Sequence, residues 1–266
     1  MKVIILCGGQ GTRLREETEF KPKPMVMVGE KPILWHIMKS YAHHGIKDFV
    51  LCLGYKGAMI KEYFLEYQAM NNDFTITLGT NRTLEVHGDH AEEGFTVTLA
   101  NTGLNANTGS RVKQVQHYVE DDTVCVTYGD GLSDVDIGKL IEFHRSHGRI
   151  GTATSVRPQS RYGVLEIDET GVVRNFAEKP QKEGWVSAGI FVFQRSFFDY
   201  LSADYSCVME QEPLRDLAHA GELMAYKHEG VFYPMDTFRE ALMLNELWNK
   251  GNASWASWLS PPSSLR

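Results

Sequence analysis

Apolar positions along this chain follow two rhythms, and the places where one gives way to the other outline its elements. Lys2 to Leu6 is a short apolar run that meets Gly8 and Gly9 almost at once. That pattern predicts a fully buried strand ending in a phosphate-sized turn. Pro32 then opens a helix in the favoured first-turn position. Ile33, Leu34, Ile37, Met38 and Tyr41 form one apolar stripe along it, and Gly45 stops it. Phe49 to Leu53, followed by Gly54, repeats the buried-strand pattern, and Ile60, Tyr63, Phe64 and Tyr67 mark a second helix. Strands and helices in alternation predict an α/β fold, a mostly parallel sheet with helices on both faces.

The rhythm breaks between about 74 and 110. Phe74 to Leu78 and Phe95 to Leu99 alternate polar and apolar with period two, which predicts a small antiparallel β insertion. The α/β pattern resumes with Val112, Val115, Tyr118 and Val119 on a short helix. The strand Val124 to Tyr128 follows, running into Gly129-Asp130-Gly131. Asp134 is the expected cap of the next helix, with Ile137, Leu140, Ile141 and His144 facing inward. Strands are expected at 152–156, 162–167, 189–193 and 223–226, with a last helix over about 237–250. Residues 1–251 read as one domain, and the Ser-, Trp- and Pro-rich stretch 252–266 as an irregular or docked tail.

At 266 residues the chain is long enough for a full core. Its 27 basic and 34 acidic residues give a net charge of −7, with no basic run long enough for a nucleic-acid stripe. Phosphate binding must therefore be local. The apolar run before Cys7 is too short for a signal peptide, and no stretch reaches transmembrane length, so a soluble cytoplasmic protein without a membrane partner is expected. Cys7, Cys52, Cys125 and Cys207 lie far apart with no CxxC pair, which predicts buried reduced thiols. His43-His44, His87 and His90 lack closed-site spacing, so solvated or capping roles are expected of them.

The first strand ends in Gly8-Gly9-Gln10-Gly11-Thr12-Arg13-Leu14. Glycines there bring backbone N–H groups close to an anion, and Arg13 adds a cation. The string has neither the Lys-Ser/Thr ending of the Walker loop nor the spacing of the dinucleotide fold. On its own it supports only an anion-binding turn. Lys21-Pro22-Lys23-Pro24-Met25 follows, its prolines fixing where the lysines point, and a held ammonium suits a phosphate oxygen. Asp130 and Asp236 each close a β segment. Together they offer the two carboxylates that Mg²⁺ takes alongside water and phosphate oxygens, although capping alone would explain Asp236.

Gly8 to Leu14, Lys23 and Gly29-Glu30-Lys31-Pro32-Ile33 resemble the signature of the nucleotidyltransferases that make nucleotide sugars from a nucleoside triphosphate and a sugar 1-phosphate. Tyr128-Gly129-Asp130-Gly131, Tyr162-Gly163-Val164, Phe176 to Pro180 and Met235-Asp236-Thr237 extend the resemblance to about Gly251. It implies a Rossmann-like fold, a homo-oligomer with a hexamer among the assemblies open to it, and Mg²⁺ on Asp130 and Asp236. It also implies direct in-line attack on the α-phosphorus. Arg13 and Lys23 would be catalytic, and the triphosphate would be held by Leu6, Gly8, Gly9, Gly11, Thr12, Arg13, Lys23 and Asp130. The resemblance places Thr108, Gly109, Ser110 and Arg111 over the pyrimidine and ribose. It places Tyr128, Tyr162, Gly163, Glu178, Lys179 and Ser187 around the sugar phosphate.

Within the family the likeness is greatest to members that use CTP and glucose 1-phosphate, through Lys21 to Met25, Leu34 to Met38, Gly54 to Gly57 and Gln211 to Leu214. Two departures stand out. Gly109-Ser110-Arg111 replaces a Gly-Gly-Arg string, and Val186-Ser187-Ala188-Gly189 falls where relatives carry Asn-Gly-Gly, so the base is better specified than the sugar. Another nucleotide, another hexose phosphate, or a non-catalytic nucleotide-sugar sensor remain open alternatives.

Overall fold

A computed structural model describes residues 1–80, 82–88, 92, 94–158, 163–177 and 184–259. Seven strands form the main sheet: β1 (Lys2–Cys7), β2 (Asp48–Leu53), β3 (Thr96–Asn101), β4 (Thr123–Tyr128), β5 (Gly151–Val156), β6 (Val186–Gln194) and β7 (Leu223–His228). Their spatial order is β7-β5-β6-β4-β1-β2-β3. All neighbours are parallel except β6, which runs antiparallel to both β4 and β5. The mixed, mostly parallel sheet expected from the sequence is therefore present.

The sheet separates two apolar layers because successive side chains of a strand point to opposite faces. From β1, Val3, Ile5 and Cys7 pack beneath the stripe Ile33, Leu34, Ile37, Met38 and Tyr41 of helix α1 (Ile33–His43). Ile4 and Leu6 face Val112, Val115, Phe191 and Phe193 on the other side. Helix α2 (Gly57–Leu65) follows β2, and α3 (Thr108–Gln114) carries Val112 into the second layer. Helix α4 (Ile137–His147) buries the four expected residues Ile137, Leu140, Ile141 and His144. Helices α5 (Glu212–His219) and α6 (Phe238–Asn249) complete the covering.

Three expectations need correction. Phe95 to Leu99 does not pair with Phe74 to Leu78. Residues 73–77 pair with 83–87 in a separate antiparallel hairpin, and β3 joins the main sheet parallel to β2. β3 is an edge strand of the sheet, with Val97 and Leu99 packed against one apolar layer and Ala100 in the other. Asp136, not Asp134, caps α4, accepting from the Lys139 N–H at 3.0 Å. Asp134 instead accepts from His228 Nε2 and the Val231 N–H, both at 2.7 Å, tying β7 to the loop after β4. Pro32 sits just outside α1 rather than within its first turn.

The start of the tail docks on the core. Trp255 is 1 % exposed, and its Nε1–H donates to Nδ1 of buried His36 at 3.4 Å. His36 Nε2 meets the Val28 carbonyl at 2.9 Å. A carbonyl can only accept, so Nε2 carries the proton and Nδ1 is left to receive the indole. Burial holds the His36 pKa down to about 4.

Candidate active site

The parallel strands β1 and β4 lie side by side and end together, so the loops that follow them open the sheet into a cleft of ≈ 320 Å³. The turn after β1 forms its floor. Gly11 has φ 63°, a left-handed conformation that favours glycine, and a Cβ there would lie 2.7 Å from Thr18 Cγ2. The Thr18 hydroxyl closes the turn, 3.0 Å from the Gly11 carbonyl and 2.9 Å from that of Leu14.

Gly8 meets a different constraint. A Cβ at Gly8 would stand 2.2 Å from the guanidinium of Arg111, which crosses beneath the turn. Arg111 is 4 % exposed, and its guanidinium reaches five protein acceptors. Its Nη1 reaches the Leu53 carbonyl (3.1 Å), Thr102 Oγ1 (2.7 Å) and the Gly103 carbonyl (2.8 Å). Its Nη2 reaches the carbonyls of Gly8 (3.2 Å) and Leu104 (3.3 Å). These bonds bind the ends of β1, β2 and β3 to one another, so the side chain expected over the nucleotide holds the wall of the cleft. Desolvation by burial lowers its pKa.

Lys23, from the proline-flanked loop, is 8 % exposed at the base of the cleft. Its Nζ lies 2.6 Å from Asp130 Oδ2 and 2.8 Å from Asp236 Oδ1. Arg13 Nη1 meets the other oxygen of Asp236 at 2.7 Å. Asp130 stands just past the end of β4, and Asp236 just before α6. Capping does not explain Asp236. Thr237 caps α6 in a reciprocal box with Glu240, whose carboxylate also accepts the Asp236 N–H at 2.8 Å. The Asp236 side chain is thereby free to face Lys23.

Leu6, Gly8, Gly9, Gly11, Thr12, Arg13, Lys23, Thr108, Arg111, Tyr128 and Asp130, all singled out from the sequence, line this cleft, with Asp236 joined to it through Lys23 and Arg13. Gly109 and Ser110 do not line it. They are buried behind the wall, and the Ser110 hydroxyl donates to the Ala203 carbonyl at 2.9 Å. Ser187 is exposed on β6, where its Oγ accepts the Gly189 N–H at 3.1 Å. It does not line the cleft; its neighbour Gly189 leaves room for the ring of Tyr128, which does. Gly163 stands immediately before the strand Val164–Ile167. Tyr162, Glu178 and Lys179 lie outside the described residues.

Pro24, Ala106, Asn107 and Gly129 also line the cleft, and Glu210 stands at its rim beside Tyr128 and Thr108. Glu210 comes from a loop with no periodicity, 102 residues from Thr108 and 82 from Tyr128. Nothing in the sequence marked it.

The donor set suits a small hard cation. Asp130 and Asp236 supply carboxylate oxygens already converging on one positive charge, and no cluster of three or more potential protein ligands occurs among the described residues. Mg²⁺ needs only one or two carboxylates when phosphates and water complete its shell.

The family model described as nucleotidyl transferase matches residues 2–231. A glucose-1-phosphate cytidylyltransferase of Salmonella typhi is 50% identical over 260 residues, covering 97% of this chain and 100% of its own. A Bacillus subtilis protein named as a probable glucose-1-phosphate cytidylyltransferase is 41% identical over 258 residues, with coverage of 97% and 100%. Among solved structures, HddC from Yersinia pseudotuberculosis superimposes with a TM-score of 0.66 at 24% identity, over 93% of this chain and 99% of that one, a likeness of fold.

Proposed function

The chain belongs to the nucleotidyl transferase family, and from that membership we propose that it transfers the cytidylyl group of CTP to α-D-glucose 1-phosphate, giving CDP-glucose and pyrophosphate. The observation that carries this reading is the buried Lys23 ammonium between Asp130 and Asp236, at the foot of a glycine-floored cleft. The two long relatives supply the identity of nucleotide and sugar.

The reaction forms a bond from a sugar-phosphate oxygen to the α-phosphorus and breaks the bond from that phosphorus to the oxygen bridging to the β-phosphate. The attacking oxygen is already ionised near neutrality, so no side chain need remove a proton. The chain's work is alignment and charge neutralisation. Glycine N–H groups after β1 and the Arg13 guanidinium would hold the departing phosphates. Lys23 would stabilise the extra negative charge at the α-phosphorus. Asp130 and Asp236 would hold Mg²⁺, which when bound neutralises phosphate charge and orients the leaving group. Thr108 would face the base and Tyr128 the junction of base and sugar, with Tyr162, Gly163, Glu178, Lys179 and Ser187 on the sugar-phosphate side. No helix among the described residues is long and apolar enough to cross a membrane. A homo-oligomer fits the apolar side chains of the hairpins, of which Phe74, Leu84, Leu165 and Phe176 are exposed.

Pyrophosphate release from a panel of CTP, UTP, dTTP, ATP and GTP with glucose 1-phosphate, then with mannose, galactose and N-acetylglucosamine 1-phosphates, tests the proposal. CTP with glucose 1-phosphate should give the highest kcat/KM. Preference for another pair would replace the substrate assignment, and nucleotide binding without turnover would favour a sensor.

A further inference from the structure

The cleft has a charged end, containing Arg13, Lys23 and Asp130, and an uncharged end formed by Leu6, Ala106, Asn107, Thr108 and Tyr128. Triphosphate belongs at the first, so the uncharged end is left for the neutral parts of the substrates. There the two side-chain hydroxyls share one acceptor. Thr108 Oγ1 donates to Glu210 Oε2 at 2.6 Å, and the Tyr128 hydroxyl donates to Glu210 Oε1.

The segment that ends at Glu210 is tied to the start of α3 by hydrogen bonds donated from both sides. The Asn107 N–H donates to the Tyr205 carbonyl at 3.0 Å, and the Ser110 N–H to that of Cys207 at 3.1 Å. The Met209 N–H donates back to Thr108 Oγ1 at 3.0 Å, and the Met209 side chain is fully buried. Segment 203–210 is thus a strap zipped along the start of α3, and its last residue delivers a carboxylate to the rim. The Tyr128 ring is fixed independently, seated against Gly189 and edge-on to Phe191 with centroids 6.3 Å apart.

A hydroxyl has one proton and two lone pairs, and a carboxylate only accepts. The protons of Thr108 and Tyr128 are both committed to Glu210. One Thr108 lone pair is taken by Met209, which leaves one lone pair on that oxygen and two on Tyr128. Towards the cleft these groups can accept but not donate.

We propose that Glu210 is a positioning residue for base choice: by fixing Thr108 and Tyr128 as acceptors, it favours a pyrimidine bearing an amino group at its 4-position over one bearing a carbonyl there. The inference rests on the cytidylyl-transfer reading of the same cleft. Cytosine offers an N–H donor where uracil and thymine offer an acceptor. An acceptor facing an acceptor leaves both desolvated and unpaired, a mismatch that costs far more than a lost apolar contact.

The experiment compares wild type and Glu210→Gln for kcat/KM with CTP and with UTP, using glucose 1-phosphate as the common partner and single-turnover measurement for the slower nucleotide. A glutamine amide can donate as well as accept, which frees the hydroxyls to turn. The CTP-over-UTP preference should fall about tenfold or more, with the preference for glucose over galactose and mannose 1-phosphates unchanged and the melting temperature nearly so. Thr108→Val and Tyr128→Phe each remove one acceptor and should weaken CTP use more than UTP use, which keeps the test valid if Glu210→Gln folds poorly. Equal losses for both nucleotides, or a shift in sugar preference alone, would overturn the inference. A wild-type protein that does not turn over CTP would instead overturn the functional reading, so the two failures are separable.

Discussion

Lys23 is held by two carboxylates at 2.6 and 2.8 Å, in a part of the molecule where little water competes for its charge. With Arg13 on the other oxygen of Asp236, this ammonium balances the charge of the two carboxylates, and it lines the cleft where a phosphate would enter. Lys23→Met should lower kcat by roughly 10²–10³, the scale of losing one transition-state donor, while the nucleotide KM changes only several-fold. Steady-state kinetics with saturating sugar phosphate checks this, and equal losses in binding and turnover would contradict the catalytic role. Gly8→Ala would push a methyl group into the Arg111 guanidinium. Overpacking of that kind should destabilise by about 1–3 kcal/mol, read from urea midpoints, and should loosen the turn that receives the phosphates. Gly8, Lys23 and Asp130 were legible in the sequence because glycines and prolines around them mark unusual backbone. The acceptors of Arg111 and the partners of Glu210 were not, since bonds to distant carbonyls and hydroxyls leave no local pattern.

Element boundaries were legible wherever burial was one-sided or complete. The α1 stripe and the buried strands β1, β2 and β4 fell where period and glycine stops placed them. β3 defeated the same rule because an edge strand alternates whether its single neighbour is parallel or antiparallel, and pairing direction is a tertiary choice. The two acidic residues near α4 were exchanged for a related reason. Asp134 and Asp136 both suit a cap, and the pull of His228 and the Val231 N–H on Asp134 decides between them. At α6 the cap is Thr237, which leaves Asp236 to the cleft. Thr237→Ala should cost about 1 kcal/mol of stability, measured by chemical unfolding. It should also lower turnover more than an equally destabilising surface change, because the same box fixes the Asp236 backbone.

Across the whole molecule, two buried histidines tie stability to acidity. His36 and His144 are 0 % and 2 % exposed, and desolvation brings each pKa from 6.5 to about 4. The unfolded chain therefore binds more protons than the folded one between these values. Their contribution is complete above pH 6.5 and is lost as pH falls towards 4, at up to about 1.4 kcal/mol per pH unit for each histidine. Urea midpoints should drop through that window, and His144→Gln should flatten the slope. Docking of Trp255 on His36 places the start of the tail within the same response. A longer-range dependence runs through the strap. Residues 103–111 and 203–210 exchange backbone and side-chain bonds at Asn107, Thr108 and Ser110, and a Cβ at Gly109 would strike Cys207 Sγ at 2.6 Å. For laboratory evolution, the two stretches are a single heritable module: randomising either alone breaks its seam with the other. Libraries that diversify both together should yield more soluble clones with altered nucleotide choice than libraries of equal size confined to one.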